Sequence, residues 1–252
     1  MTQAATATRE LILANLEAVR GRIREACRRV GRSPEEVELL LVTKTVPPER
    51  IRVAVEAGER LIGENKVQEA LAKYGELKDL PIEWHFIGHL QTNKVKDVLT
   101  FASMIQSVDR MRLVEKLDQQ LQRLGRSLDV LIQVNTSEEE SKFGVAPEET
   151  LAFVRQVARY DTLNIKGLMT IGKLSADPED ARRCFRLLRQ LRDQIAGEGI
   201  PRVRMDILSM GMSGDLEIAV EEGSTMVRVG TAVFGPRPQP DSHYWSERAK
   251  AR

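Results

Sequence analysis

Cysteine, aromatic residues and net charge are all scarce in this chain of 252 residues, and each scarcity argues against a class of protein. The only two cysteines, Cys27 and Cys184, belong to no CxxC motif, which argues against a disulfide framework or a zinc site and favours a reducing compartment. The net charge of +1 argues against nucleic-acid binding, which needs a basic excess. No apolar run is long enough to span a membrane or form a secretory signal. We therefore expect a cytoplasmic protein with neither nucleic acid nor membrane as a partner.

Near the N-terminus, residues 8–30 carry an amphipathic pattern. Glutamates are interspersed among the arginines, which argues against a transit peptide. Gly31 follows as a stop signal. The pattern predicts a surface helix that lies outside the main fold and packs one face on it, through Ile12, Leu16, Val19, Ile23, Cys27 and Val30.

The rest of the chain alternates short apolar runs with longer amphipathic segments. Eight such runs predict a parallel sheet, and eight strands can close into a barrel. A doubly wound open sheet is the alternative, but its GxGxxG turn is absent. We predict an α/β fold, a single (β/α)₈ TIM barrel over residues 1–252 with the additional N-terminal helix and a poorly packed tail at 236–252. The predicted strands are 37–44, 60–63, 83–88, 104–108, 128–135, 164–170, 203–209 and 225–230, and the predicted helices lie near 49–57, 66–78, 93–98, 110–124, 148–158, 178–196 and 214–222.

Lys44 ends the first predicted strand, VELLLVTK, which reads as buried on both faces. A buried ammonium is costly, so a lysine in such a place usually has a partner or a reaction. Burial also lowers the pKa of the amine, and a neutral amine can attack an aldehyde. The alternative is an exposed lysine one residue past the strand end.

The last two predicted strands end in segments that contain small residues, at 209–214 and 228–231. Such turns leave backbone N–H groups open to an anion, and barrels commonly bind phosphate there. Ser213-Gly214-Asp215 is expected to open a helix whose dipole adds to this attraction, although these glycines could serve only as tight turns. A phosphate cradle beside a reactive amine suits a phosphorylated aldehyde, for which pyridoxal 5′-phosphate is the obvious candidate.

Arg228 interrupts the last strand, and strand alternation places it on one face with Met226 and Gly230. An inward arginine needs an acceptor, either the cofactor's pyridine nitrogen or a carboxylate; an outward arginine in a salt bridge is the alternative. His89, just after the third strand, lines the mouth of the site or has a structural role.

Several longer motifs carry a family resemblance: VTKTVPPERI, GENKVQEALAKY, WHFIGHLQTNKVK, VNTSEEESKFGV, GLMTIG and LSMGMSGDLEIAVEEGSTMVRVGTAVFG. Together, from about Val37 to Gly235, they resemble the YggS/PROSC family of pyridoxal 5′-phosphate homeostasis proteins, whose fold is a barrel like the alanine racemase N-terminal domain. The resemblance implies a Schiff base on Lys44, with Asn65 beside the cofactor and Arg228 facing the pyridine nitrogen. It further implies a phosphate site at Ser209, Gly230 and Thr231, with Met210, Gly211 and Ser213 close by.

The resemblance also implies control of free pyridoxal phosphate without robust catalytic turnover. Alanine racemases use a tyrosine from a further domain, whereas Tyr74, Tyr160 and Tyr244 lie at no predicted strand end here. An amino-acid racemase or isomerase is the alternative, and an aldolase-type Schiff-base enzyme is a weaker one. PLP-dependent apo-enzymes are candidate recipients, a monomer is expected, and Lys142 could be a secondary docking lysine or a solvated loop residue.

Overall fold

The sheet is a closed barrel of eight parallel strands in chain order, in which the eighth strand pairs with the first. The structure is a computed structural model that describes residues 3–137, 139, 143–173, 175 and 177–236. Helices connect successive strands, which is the connection that parallel neighbours require. The strands are β1 Glu38–Val42, β2 Leu61–Glu64, β3 Glu83–Phe86, β4 Met104–Val108, β5 Leu128–Gln133, β6 Leu163–Met169, β7 Ile207–Ser209 and β8 Met226–Val229.

A layer of helices surrounds the barrel, so the predicted (β/α)₈ architecture is confirmed. Most of these helices begin and end within three residues of the predicted bounds. The helices are α1 Gln3–Arg29, α2 Pro48–Glu56, α3 Val67–Leu77, α4 Val95–Val98, α5 Met111–Leu124, α6 Thr150–Val157, α7 Pro178–Gly197, α8 Leu216–Glu221 and α9 Thr231–Phe234.

The strand residues divide into two sets by alternation. Outward residues such as Ile62, Ile105 and Val227 join the main core between sheet and helices. A separate small apolar cluster of Met104, Leu131 and Met169 comes from the alternate positions, and therefore fills the barrel interior. Polar inward residues lie nearer the carboxyl ends of the strands, where a barrel of this class carries its site.

The N-terminal helix α1 lies outside the barrel as predicted, but it begins at Gln3, five residues earlier than expected. It packs on α2, α8 and α9. The predicted apolar stripe is buried from Ile12 to Cys27, whereas Val30 is exposed. Arg22 pairs with Glu217 of α8 at 2.6 Å, which fixes α1 beside the last strand–helix unit.

Two expectations near the C-terminus need correction, and one helix there was not predicted. Strand β7 spans three residues rather than 203–209. Ser213 does not open a helix, because α8 begins only at Leu216 after Asp215, whose Oδ1 accepts a hydrogen bond from Met212 N at 2.5 Å. The short helix α9 directly after β8 was not predicted. The predicted loose tail at 236–252 lies outside the described residues except for Pro236.

Both cysteines are free and buried. Over the part of the chain that the structure describes, no helix is both long enough and apolar enough to cross a membrane. Within the same residues, no group of three His, Cys, Asp or Glu side chains is arranged to hold a metal ion.

Candidate functional site

Lys44 lies in a turn directly after β1 and is buried, with 6% of its surface exposed. The alternative of an exposed lysine one residue past the strand end is therefore wrong. The turn is closed by a hydrogen bond from Val46 N to Thr43 O at 2.9 Å. Thr45 has a φ of +62°, an unfavourable value for a β-branched residue. Strained backbone beside a buried amine is typical of functional sites, where the surrounding structure must hold it in place.

A buried ion pair supports this turn from the helix side. Lys73 Nζ lies 2.7 Å from Glu64 Oε1 and donates to Thr43 O at 2.6 Å. Thr43 Oγ1 donates to the same carboxylate oxygen at 2.6 Å. Burial raises the pKa of Glu64, and the Lys73 ammonium opposes that rise. This pair was not predicted from the sequence, although a glutamate at a strand end and a lysine on the apolar face of the next helix could have indicated it.

Asn65 follows β2, and its Oδ1 is buried with no hydrogen-bond partner among the described residues. An unpaired buried amide oxygen is costly, so such an atom calls for a further donor. Gly88 allows the close approach of the neighbouring strand end, because a Cβ there would lie 2.2 Å from Asn65 O. Asn65 is thus held at the barrel mouth by backbone packing.

Arg228 on β8 points into the barrel and is buried, with 4% of its surface exposed. Its Nη1 donates to Ser209 Oγ at 2.8 Å and its Nη2 to Thr170 O at 2.7 Å. The outward alternative is therefore wrong, and the acceptors present are a hydroxyl and a carbonyl rather than a carboxylate. Desolvation by burial lowers the pKa of Arg228 to about 10, against a smaller opposing effect of Asp215.

The hydrogen bonds continue from Arg228 across the barrel interior. Ser209 Oγ donates to Gln106 Oε1 at 2.7 Å, and Gln106 Nε2 lies 2.9 Å from His85 Nδ1. An amide nitrogen cannot accept, so His85 accepts at Nδ1 and is neutral. Burial lowers the pKa of His85 to about 4, which agrees with that state. Neither Gln106 nor His85 was predicted as part of the site. Their side chains meet only because both point into the closed barrel.

The turns after β7 and β8 meet the end of β1. A Cβ at Gly230 would lie 2.9 Å from Val42 O, so glycine lets the end of β8 approach the strand that carries Lys44. Gly211 has a φ of +94°, and a Cβ there would clash with Ala219 of α8 at 2.4 Å. Thr231 begins α9 and is partly buried.

Three other predicted residues occupy different surroundings. Met210 is fully buried in the core between sheet and helices, so its side chain does not face the barrel mouth. Ser213 Oγ accepts from Ala232 N at 3.3 Å and joins the two turns. The Ser209 hydroxyl is engaged by Arg228 and Gln106, so its contact with phosphate stays a prediction.

His89 stacks on Phe143 with ring centroids 3.8 Å apart, and its Nδ1 lies 3.8 Å from Asp109 Oδ2. It lies in the loop after β3 and lines a surface cavity of about 320 Å³ with Arg110 and Arg112. Lys142, the predicted docking lysine, lies outside the described residues.

These residues fit pyridoxal 5′-phosphate, the group that the sequence resemblance implies. Lys44 supplies a buried amine for the aldehyde, and Arg228 a buried donor without a carboxylate partner within 4 Å among the described residues. The orphaned Asn65 oxygen lies at the adjacent strand end. Tight glycine turns lie at the ends of β7 and β8, where barrels commonly bind phosphate.

Comparison with known proteins shows the family of this chain. The family model of the alanine racemase N-terminal domain matches residues 14–238. A pyridoxal phosphate homeostasis protein of Aquifex aeolicus is 46% identical over 222 residues, which cover 88% of this chain and 96% of the relative.

Two solved structures are also similar. A protein from Bifidobacterium adolescentis superposes with a TM-score of 0.86 at 39% identity, covering 90% of this chain and 96% of the other. PipY of Synechococcus elongatus, solved with PLP bound, has a TM-score of 0.75 at 38% identity and covers 84% of this chain and 100% of its own. The chain belongs to the alanine racemase N-terminal domain family and, within it, to the pyridoxal phosphate homeostasis proteins.

Proposed function

We propose that this protein binds pyridoxal 5′-phosphate at Lys44 and takes part in balancing the free cofactor inside the cell. The observation that carries the proposal is a buried lysine amine at the mouth of a barrel whose interior also holds a buried arginine without a carboxylate partner within 4 Å among the described residues. The PLP bound to the similar PipY structure supports the same choice of ligand. When bound, the cofactor supplies an aldehyde that forms a reversible covalent bond with an amine.

The residues of this chain then have distinct tasks. Lys44 holds the aldehyde carbon, and Arg228 donates to the pyridine nitrogen and keeps it unprotonated, because arginine does not give up its proton. Asn65 Oδ1 accepts from a polar group of the ligand. Backbone N–H groups near Gly230 and Thr231 bind the phosphate, with Gly211 shaping the adjacent turn. Ser209 fixes the guanidinium of Arg228 at 2.8 Å.

Robust turnover is not part of the proposal. Carbanion chemistry on this cofactor needs an electron sink, and an unprotonated pyridine is a weak one. It also needs a second proton-transfer group. Of the described tyrosines, Tyr74 packs on Trp84 and Phe101 in the helix layer, and Tyr160 packs against the same outer core. Neither reaches the strand ends at which Lys44 lies.

An absorption spectrum before and after added pyridoxal phosphate tests the binding. We expect a new Lys44-dependent band and, after borohydride reduction, a single mass adduct on the peptide that contains Lys44. Lys44→Ala should abolish both, whereas the exposed Lys78→Ala should leave both intact. A wild-type protein that gives no band, or an adduct that survives Lys44→Ala at full yield, would reject the proposal.

Catalysis is tested separately by deuterium exchange at Cα of a panel of amino acids. We expect no exchange at rates near ordinary enzyme turnover, about 1–10³ per second. Exchange at such rates would favour the racemase or isomerase alternative. Failure to trap a sugar phosphate on Lys44 with borohydride would dismiss the aldolase alternative.

We also propose a compartment, recipients and an oligomeric state for this protein. Two buried free thiols fit a reducing compartment, and we propose the cytoplasm. PLP-dependent apo-enzymes are the proposed recipients, and the protein acts as a monomer. Mixing the loaded protein with an apo-enzyme and following the recovery of its activity tests the transfer, and size-exclusion chromatography tests the oligomeric state.

A further inference from the structure

We propose that one face of α3 positions the Lys44 amine, because Glu69 and Lys73 hold the two peptide groups that flank Lys44. The inference rests on the proposed function, since it concerns the same amine. Glu69 and Lys73 are positioning residues: neither touches the ligand, and both act through the backbone of the turn.

The contacts are direct. Lys73 Nζ donates to Thr43 O at 2.6 Å, which belongs to the peptide group before Lys44. Thr45 N donates to Glu69 Oε2 at 3.2 Å, which fixes the peptide group after Lys44. Glu69 and Lys73 are four residues apart on α3 and therefore share one face of the helix. A single rigid element thus holds both sides of Lys44.

The turn needs this support. Thr45 has a φ of +62°, and a β-branched residue leaves that conformation unless its surroundings hold it there. Without the bond to Glu69, the peptide group between Lys44 and Thr45 can rotate. Such a rotation changes the direction in which the Lys44 side chain leaves the backbone, and a small misplacement of a reacting group is costly.

Lys73 is itself held rigidly. Its Nζ lies 2.7 Å from Glu64 Oε1, and both side chains are buried. A pair that only stabilised the core would not need to point at the backbone of a neighbouring loop. Here Lys73 Nζ also donates to Thr43 O. Thr43 Oγ1 in turn donates to the Glu64 carboxylate at 2.6 Å.

Glu69 offers the cleaner experiment because it is only partly buried. It lines a surface cavity of about 430 Å³ together with Thr45, Lys73 and Glu76. Replacing Glu69 leaves the Glu64–Lys73 pair in place, so the barrel is expected to fold. Glu76 lines the same cavity from the same helix and, within the described residues, forms no side-chain hydrogen bond or ion pair, which makes Glu76→Ala a matched control.

The test compares Glu69→Ala, Glu69→Gln and Glu76→Ala in the loaded protein. Glu69→Ala removes the bond from Thr45 N together with longer ion pairs to Lys66 at 3.8 Å and Lys73 at 4.0 Å. We expect it to speed release of pyridoxal phosphate about fivefold and to shift its absorption maximum. Glu69→Gln keeps an acceptor for Thr45 N and is expected to restore both properties, and Glu76→Ala should match the wild type. Amide hydrogen exchange of the peptide spanning residues 43–46, measured without cofactor, should be faster in Glu69→Ala alone.

Wild-type release from Glu69→Ala would overturn the inference, as would equal loss in Glu69→Gln, since that would assign the effect to charge rather than to the bond. Faster exchange without any change in release would also overturn it, because the turn would then be held without positioning the amine. If the wild-type protein itself gave no Lys44-dependent band, the proposed function would fail first, and unchanged exchange in Glu69→Ala would separately reject the contact.

Discussion

Two buried cations, Lys73 and Arg228, lie near this site, and their partners differ in kind. Lys73 on α3 meets a carboxylate, Glu64, at 2.7 Å. Arg228 on β8 meets, among the residues that the structure describes, only a hydroxyl and a carbonyl oxygen, Ser209 Oγ and Thr170 O. Its pKa is lowered to about 10 by desolvation, with Asp215 as a weaker opposing charge.

The difference separates a cation that completes the fold from one that we propose to be available to a ligand. The charge of Lys73 is neutralised within the chain, so its removal should be felt by the folded state. Arg228 has no ion pair within 4 Å among the described residues, which is unfavourable for folding. We propose that this makes it favourable for an acceptor that arrives with a cofactor. Both residues are buried, so burial alone does not distinguish their roles.

The largest expected effect is the loss of stability when Lys73, the cation paired with Glu64, is replaced. Lys73→Met leaves Glu64 buried and unpaired, and we expect a loss of about 3–5 kcal/mol in the free energy of unfolding. The double variant Glu64→Gln/Lys73→Met removes both charges and should recover most of this loss. Denaturant titration of the wild type and the two variants measures it. A Lys73→Met variant as stable as the wild type would end the distinction between the two cations.

Protonation of His85 adds a second positive charge near Arg228, and we expect it to lower the stability of the fold by nearly as much. Burial lowers the pKa of His85 to about 4, below its value of about 6.5 in an unfolded chain. Between these values the unfolded chain binds the proton and the folded chain does not, so stability is full above pH 6.5 and falls by about 3 kcal/mol towards pH 4.

This pH dependence is measured by denaturant titration at several pH values. His85→Asn keeps an acceptor for Gln106 and removes the titration, so its stability curve should be flatter over the same range. Equal slopes for wild type and His85→Asn would mean that His85 does not resist protonation.

Removing Arg228 should affect binding more than folding. Arg228→Leu deletes an uncompensated charge, and relief from its desolvation offsets the two lost hydrogen bonds, so we expect less than about 2 kcal/mol change in stability. Pyridoxal phosphate affinity should fall about tenfold to a hundredfold, as for a lost bond to a charged donor. The exposed Arg159→Leu is the control. A stability loss as large as that of Lys73→Met would show that Arg228 is a structural cation.

The smallest effect is expected at Asp215. It lies beyond 4 Å of Arg228, since no ion pair joins the two within the described chain, and burial raises its pKa. Asp215→Asn keeps an acceptor for Met212 N, so stability should change by less than about 1 kcal/mol. Unfolding and binding titrations check this. A large loss of affinity would mean that Asp215 compensates Arg228 after all.

The sequence allowed most of the fold to be predicted because local signals were strong. Apolar runs and helix-ending glycines such as Gly125, with a φ of +61°, gave the eight strands and most helices. The predicted elements were wrong where tertiary contacts, rather than local sequence, determine where an element begins. Helix α8 begins at Leu216 because Asp215 bonds Met212 N, and α9 is too short to show a period.

The site was predictable only in part for the same reason. Lys44 and Arg228 stood out because charge interrupts apolar strands. Gln106 and the Glu64–Lys73 pair did not, because a polar residue in a strand gives no sign of which distant side chain it meets. Their roles follow from the order of strands around the barrel, which appears only when the sheet closes.

That closure has a consequence for biosynthesis. Leu41 of β1 pairs with Val229 of β8, so the proposed amine and phosphate sites are contributed by parts of the polypeptide that are far apart in sequence. On this proposal, a nascent chain completes its site for pyridoxal phosphate only after β8 has left the ribosome, and the cofactor does not template earlier steps. Uptake of the chromophore therefore reports completion of the fold, and it offers a coloured signal for following this slow, long-range strand pairing in real time.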